Sequence, residues 1–249
     1  MEAARDLVIL NADDPLVLAM RSRTTKPVVT FGSTGDYRAE NVVLDDLSRA
    51  SFDLVTPQGT APVRLRLVGE HHVSNALAAA AVAADCGLTP EATAAAVSNA
   101  VPRSRWRMEV RERADGVTIV NDAYNANPDS MRAALKTLAR AGESGRRTWA
   151  VLGEMAELGE ESWAAHDDVG RLCVRLNVNR LVVVGPNAKG IHAGAGLEGS
   201  WGDETTYVDD TDEALRLLRA QLRPGDVVLV KASRAAGLER VAQALEETT

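Results

Sequence analysis

The sequence predicts an α/β protein with a mostly parallel sheet. Apolar runs of strand length at residues 117–120, 148–152, 180–184 and 227–230 alternate with stretches of helical length, as in βα units whose sheet is covered on both faces. Each run stops at a polar or glycine-bearing cluster: Asp122 to Asn127, Gly153 to Gly159, Gly185-Pro186-Asn187 and Lys231-Ala232-Ser233-Arg234. In a parallel sheet such stops share one edge, the edge where open α/β sheets bind ligands.

The elements follow in order. Residues 7–10 are an apolar run closed by Asn11-Ala12-Asp13-Asp14-Pro15, a buried strand and a polar turn. Residues 28–31 before Gly32 give the next strand. Alternating segments at 41–44, 51–56 and 63–67, with Pro57-Gln58-Gly59 as a hairpin turn, predict an antiparallel patch. Residues 73–84 are almost all Ala, Val and Leu, which predicts a tightly packed buried helix ended by Gly87. Thr89-Pro90-Glu91 opens another helix, with Thr89 as N-cap and Pro90 in the first turn, and Val101-Pro102 closes it. Residues 103–107 are charged, follow a proline and precede a fresh strand pattern, so the domains are expected at 1–106 and 107–249. Residues 108–113 and 117–120 flank Asp115-Gly116, a tight-hairpin signal. Helices are expected at 130–140, 163–176, 211–221 and 237–246. The glycine-bearing stretch 194–203 reads as a mobile surface loop.

Composition narrows the classes. The chain has 249 residues, 45% hydrophobic and 25% charged, an ordinary globular balance. A net charge of −7 with no Lys/Arg cluster argues against a nucleic-acid face. No apolar run approaches the roughly 20 residues that span a bilayer. Cys86 and Cys173 lie far apart in helix-like apolar patterns and read as small core residues, while the histidines show no metal spacing. With no signal-peptide pattern at the start, the cytoplasm is the expected compartment.

The strongest candidate segment is Asn121-Asp122-Ala123-Tyr124-Asn125-Ala126-Asn127-Pro128. It places an acid, a phenol and carboxamides between a strand and a helix; the plain alternative is a connection in which Asn125 or Asn127 caps the helix. Gly153 and Gly159 let the loop Gly153-Glu154-Met155-Ala156-Glu157-Leu158-Gly159 approach a ligand, although Glu154 and Glu157 taken singly read better as a solvated acidic loop. Lys231 and Arg234 flank Ser233 at a strand end, a natural place for a phosphate or carboxylate. Gly69-Glu70-His71-His72-Val73-Ser74-Asn75 opens the Ala-rich helix, where N–H groups can face a ligand. Asn75, inside that apolar helix, needs partners if buried; a simple cap at Ser74 or Asn75 is the competing account. Arg107 falls at the domain boundary.

In this order the chain resembles the Mur ligase family of peptidoglycan synthesis. The carrying residues are Leu10-Asn11-Ala12-Asp13-Asp14-Pro15, Gly69-x-His71-x-x-x-Asn75-Ala76, Arg107-Met108-Glu109-Val110, the Asn121 to Pro128 segment with Ser130-Met131, Leu152 to Gly159, and Val230 to Arg234. They run over nearly the whole chain. The Tyr–Asn segment, the Gly–Met–Glu loop and the Lys-x-Ser-Arg tail look most like the branch that joins D-alanyl-D-alanine to UDP-N-acetylmuramoyl-tripeptide. The resemblance implies the back part of a central ATP-binding domain followed by a Rossmann-like C-terminal domain. It implies an ATP- and Mg²⁺-dependent amide-forming reaction through an acyl phosphate, in a protein expected to be monomeric at full length. By that pattern His71, His72 and Asn75 contact ATP, Arg107 its phosphate and Asp122 its ribose; Arg107 and Lys231 are carried over as catalytic. Tyr124, Asn125, Asn127, Glu157, Ser233 and Arg234 are carried over as substrate contacts.

There are departures from the pattern. His72 stands where the family often has Asn, and Ala232 where it usually has Gly. No Gly-x-x-x-x-Gly-Lys-Ser/Thr loop occurs in the sequence, so the phosphate loop and Mg²⁺ ligands are expected upstream, and the chain alone is expected to be inactive. A central sheet without its first strands should expose an apolar edge. The alternatives are a non-catalytic nucleotide- or peptide-binding module and a folylpolyglutamate synthetase-like sibling. A nicotinamide dehydrogenase is disfavoured because no Gly-x-Gly-x-x-Gly follows a strand.

Overall fold

The computed structural model describes residues 6–102, 104–200 and 204–247. The chain divides into two compact units, Met1–Val101 and Pro102–Thr249.

In the first unit, β1 (Val8–Asn11) leads to α1 (Pro15–Ala19), capped by the Asp14 carboxylate, which accepts from the N–H groups of Leu16 and Val17. β2 (Val28–Phe31) pairs parallel with β1. A three-stranded antiparallel sheet follows: β3 (Arg38–Leu44), β4 (Arg49–Thr56) and β5 (Gly59–Val68). Alternate residues of β4 and β5, Phe52, Leu54, Ala61, Val63 and Leu65, face inward, as the pleat requires. They pack with Ala76, Leu77, Ala80 and Ala81 of α2 (His72–Asp85). The sequence misleads at α2: only one face is buried, Val82 is exposed, and Cys86 just beyond it is exposed as well. α3 (Pro90–Ser98) starts as expected, with Thr89 Oγ1 accepting from the Ala92 N–H. β1 has no second strand partner among the described residues, yet Val8 and Leu10 are buried, so its side chains are less exposed than expected.

The second unit alternates strand and helix: β6 (Glu109–Glu112), β7 (Thr118–Asp122), α4 (Pro128–Glu143), β8 (Thr148–Leu152), α5 (Ser162–Arg175), β9 (Arg180–Val184), α6 (Lys189–Glu198), β10 (Thr205–Val208), α7 (Thr211–Gln221), β11 (Val227–Lys231) and α8 (Glu239–Glu246). The six strands run in the order β10-β9-β8-β11-β7-β6, all parallel except β6, which forms the expected hairpin with β7. Ile119, Trp149, Val151, Val182, Val228 and Val230 pack with Ala214 and Leu218 of α7 and Val241 and Leu245 of α8. The intervening residues Val120, Ala150, Leu152 and Leu229 are also buried, and α4 packs along β8 and β11. Both faces are covered, so the strands read as continuous apolar runs.

Two expectations change. Residues 194–198 are helical, the end of α6, rather than loop; residues 201–203 of the same expected loop, and Arg103 of the boundary segment, lie outside the described residues. Gly190 and Gly194 of α6 serve packing. A Cβ on Gly194 would stand 2.0 Å from the Asp167 carbonyl oxygen, and one on Gly170 of α5 would stand 1.9 Å from that of Ile191. The two helices touch through backbone, which only glycine permits.

Candidate active site

Register sets the site of the second unit. Lys231, last in β11, lies opposite Asp122 of β7 on one side and Leu152 of β8 on the other. The three strands end together, and their connections interlock.

Lys231 is buried. Its Nζ donates to Asp122 Oδ2 at 2.6 Å and to the Asn125 carbonyl at 2.9 Å. The other Asp122 oxygen accepts from the Met108 N–H at 3.0 Å. Partial burial strengthens the attraction, but desolvation of both charges offsets much of it. The pair therefore fixes geometry more than it adds stability: it ties the 106–108 segment, the end of β7 and the end of β11 to one point.

Arg107 is exposed, and its guanidinium lies 4.2 Å from the Tyr124 ring centroid. Arg234, also exposed, lies 5.7 Å from the Trp106 ring. Among the described residues neither cation has an ion pair with a carboxylate; each rests on an aromatic face, an attraction of about 0.5–1 kcal/mol at exposed sites. Trp106 and Met108 flank Arg107 with φ of 61° and 46°, a conformation that costs side-chain-bearing residues and clusters where structure serves a ligand. The Trp106 carbonyl accepts from the Tyr124 N–H at 3.1 Å. Sequence reasoning missed Trp106; the available signal was an aromatic residue inside a charged boundary segment.

Ser233 joins two loops. Its N–H donates to the Glu154 carbonyl at 2.8 Å, its Oγ accepts from the Ala156 N–H at 2.9 Å, and the same hydroxyl reaches the Ala126 carbonyl at 3.4 Å. Glu154 Oε2 accepts from Asn187 Nδ2 at 2.5 Å. All four clusters singled out in the sequence thus meet at one edge. Glu157 is exposed with φ of 65°.

The carboxamides divide. Asn127 is the N-cap of α4: its Oδ1 accepts from the Ser130 N–H at 2.8 Å, and Ser130 Oγ accepts from the Asn127 N–H at 3.0 Å. Its side-chain oxygen is therefore already used in capping. Asn125 Oδ1 accepts from the adjacent Ala126 N–H at 2.9 Å.

In the first unit, Gly69 has φ of +118°, and a Cβ there would lie 2.6 Å from the His71 ring. The His71 and His72 rings are 4.2 Å apart. Burial first, and the neighbouring His71 second, push the His72 pKa down to about 4, so His72 is neutral at pH 7. Asn75 is exposed rather than buried, and among the described residues its side chain has one hydrogen-bond contact, a long one of 3.4 Å between Nδ2 and His72 Nδ1. Burial therefore does not require partners for it. Neither Ser74 nor Asn75 caps α2; His71 holds the N-cap position without a side-chain bond.

Comparison with known proteins assigns the class. Residues 106–234 match the description "Mur ligase, glutamate ligase domain", and residues 2–83 match "Mur ligase middle domain". The chain belongs to the Mur ligase family. It is 55% identical to the UDP-N-acetylmuramoyl-tripeptide--D-alanyl-D-alanine ligase of Mycobacterium bovis, over 96% of this chain and 50% of that protein. A crystal structure of MurF from Acinetobacter baumannii superposes with a TM-score of 0.86 at 31% identity, over 97% of this chain and 52% of the other. A MurF ligase from Thermotoga maritima in complex with ADP gives 0.76 at 25% identity, over 97% and 53%. The chain spans about half the length of the curated relatives it matches.

Proposed function

We propose that this chain is the C-terminal portion of an ATP-dependent ligase that adds D-alanyl-D-alanine to UDP-N-acetylmuramoyl-tripeptide. In this reading residues 1–106 are the back part of the central ATP-binding domain and residues 107–249 the C-terminal domain, working in the cytoplasm. The observation that carries it is the pair of uncommitted guanidiniums, Arg107 and Arg234, beside the Lys231–Asp122 pair where parallel strands end. The name borne by the 55% identical relative supports the particular substrates.

The residues fit ATP unevenly. Arg107 offers a free cation for phosphate. The exposed Asn75 carboxamide and the neutral His72 suit the donor and acceptor edge of a purine. Asp122 can take a ribose hydroxyl only through lone pairs that Lys231 and the Met108 N–H leave over. Among the described residues no three His, Cys, Asp or Glu side chains gather where a metal ion could sit, and the Mg²⁺ ligands are assigned to an upstream segment. ATP supplies the phosphoryl group that activates the peptide carboxylate. Arg107 and Arg234 stabilise negative charge as it develops. Lys231 holds Asp122 and the Asn125 carbonyl in place, and Tyr124 orients Arg107 from beneath. Asn125, Glu157 and Ser233 present the loops to the incoming dipeptide; Asn127 contributes through the helix that it caps.

The test is phosphate release with ATP, Mg²⁺, UDP-linked tripeptide and D-alanyl-D-alanine. It compares this chain with the same chain joined to its upstream coding segment. The expected result is dipeptide-dependent release by the extended protein alone. The absence of a Gly-x-x-x-x-Gly-Lys-Ser/Thr loop in the sequence favours a second reading, a nucleotide- or peptide-binding module without catalysis. That reading takes over if neither protein releases phosphate while the ligands still bind.

A further inference from the structure

His166 is a buried histidine, 2% exposed, one turn into α5. Both of its ring nitrogens are committed. Nδ1 lies 2.6 Å from the Ser162 carbonyl oxygen, and Nε2 accepts from the Met155 N–H at 2.8 Å. A carbonyl demands a donor and an N–H demands an acceptor. The ring must therefore be neutral with its proton on Nδ1. The side chain reaches back across the connection between β8 and α5 and closes it into an arc.

Three consecutive residues of that connection are pinned from two sides. The Glu154 carbonyl and the Ala156 N–H are bound by Ser233, and between them the Met155 N–H is bound by His166. Glu157, one residue beyond, holds φ of 65°. A non-glycine residue keeps that conformation when its surroundings over-determine it. Packing also fixes the base of the side chain: a Cβ on Gly190 of α6 would stand 2.8 Å from His166 Cβ, so α6 lies directly against the histidine.

We propose that His166 is a positioning residue that holds the 154–157 backbone in register with Ser233, and so sets where Glu157 and the Lys231-to-Arg234 segment meet the acceptor substrate. The kinetic consequence rests on the ligase reading above; the structural consequence does not.

The test uses His166→Leu, which keeps bulk and removes the acceptor, and His166→Gln, whose carbonyl can accept from the Met155 N–H. In the unsubstituted chain, imidazole nitrogen shifts at pH 7 are expected to show a proton on Nδ1 and none on Nε2; a proton on Nε2 overturns the proposal. Amide exchange at Met155 and Ala156 is expected to quicken about tenfold or more in the Leu variant and to recover in the Gln variant, the scale of one buried donor left unmatched. Unchanged exchange at those amides in a folded Leu variant overturns the proposal. If the Leu variant unfolds, shown by loss of protection throughout β8 and β11, the Gln variant and the ring tautomer decide. In the extended protein, the KM for D-alanyl-D-alanine is expected to rise about tenfold for Leu and to return for Gln, with kcat changing less. An unchanged KM in the Leu variant beside fast local exchange overturns the acceptor role. If the unsubstituted extended protein forms no product, the ligase reading fails, while the tautomer and exchange results still decide the clamp.

Discussion

At the amino-terminal edge of the six-stranded sheet, the buried Asp226 carboxylate accepts from Arg147 at 2.6 Å, from the Trp149 indole at 2.9 Å and from the Arg223 N–H at 2.9 Å. Arg146 beside it donates to the Gly225 carbonyl at 2.9 Å and to Thr118 Oγ1 at 2.7 Å. At the carboxyl edge, among the described residues, Arg107 and Arg234 have only aromatic faces beneath them. Both edges are rich in arginine, but one spends its donors on the protein and the other keeps them. A guanidinium ringed by carbonyls and a carboxylate holds strands together. A guanidinium on an aromatic face is oriented yet still able to bind an anion. Charge composition alone does not tell the two edges apart; partner accounting does.

Substitutions can break that contrast. The largest stability loss is expected at Asp226→Ala, which strips partners from Arg147, Trp149 and Arg223: about 3–5 kcal/mol by urea unfolding, with unchanged ligand affinity in the molecules that remain folded. Lys231→Met should cost less, about 2–3 kcal/mol, because Asp122 is left only partly buried and unpaired. The double variant Lys231→Met/Asp122→Leu should regain most of that stability without regaining phosphate release in the extended protein. A double variant that restores turnover would remove the pair from the site. Arg107→Ala and Arg234→Ala should each shift stability by about 1 kcal/mol or less. In the extended protein each should lower phosphate release by about a hundredfold, the scale of one lost charge stabiliser. Equal losses of stability at the two edges would erase the contrast.

The last effect is read against pH and concerns the first unit. His72 has a folded pKa of about 4, below its ordinary 6.5. The unfolded chain therefore binds a proton that the folded chain does not between those values. Stability attributable to His72 is complete above about pH 6.5 and declines as pH falls towards 4. His72→Asn should flatten that part of the acid-unfolding profile, and an unaltered slope would dismiss the effect.

Much of this molecule was legible in its sequence, for identifiable reasons. The parallel strands announced themselves because burial on both faces leaves unbroken apolar runs, as in Val227 to Val230. Thr89, Asp115 and Gly116 carry local turn chemistry that needs no tertiary context. β10 and α6 escaped notice because Thr205-Thr206-Tyr207-Val208 is a half-polar edge strand, and because the α6 glycines contradict helix propensity. Gly190 and Gly194 are explained only by the approach of α5, which no local window contains. The convergence of Asp122, Ser233, Arg234 and the 153–159 loop could be placed on one edge from topology. The division of labour within it could be read only in part: Asn127 was one of two cap candidates, with its partner Ser130 three residues on, whereas Lys231 as tie and His166 as clamp depend on a partner distant in sequence or on the turn of an intervening loop.

Two of the four tryptophans stand at opposite ends of this design. Trp149 is 1% exposed with its indole N–H on Asp226, and Trp106 lies under a cation that an anionic ligand would recruit. Emission from the first should follow the integrity of the scaffold, and on the proposed reading emission from the second should follow anion binding at the edge. The chain has four tryptophans, so variants that keep only Trp149 or only Trp106, with the other three replaced by Phe, would let unfolding and ligand capture be followed in separate channels without an attached dye.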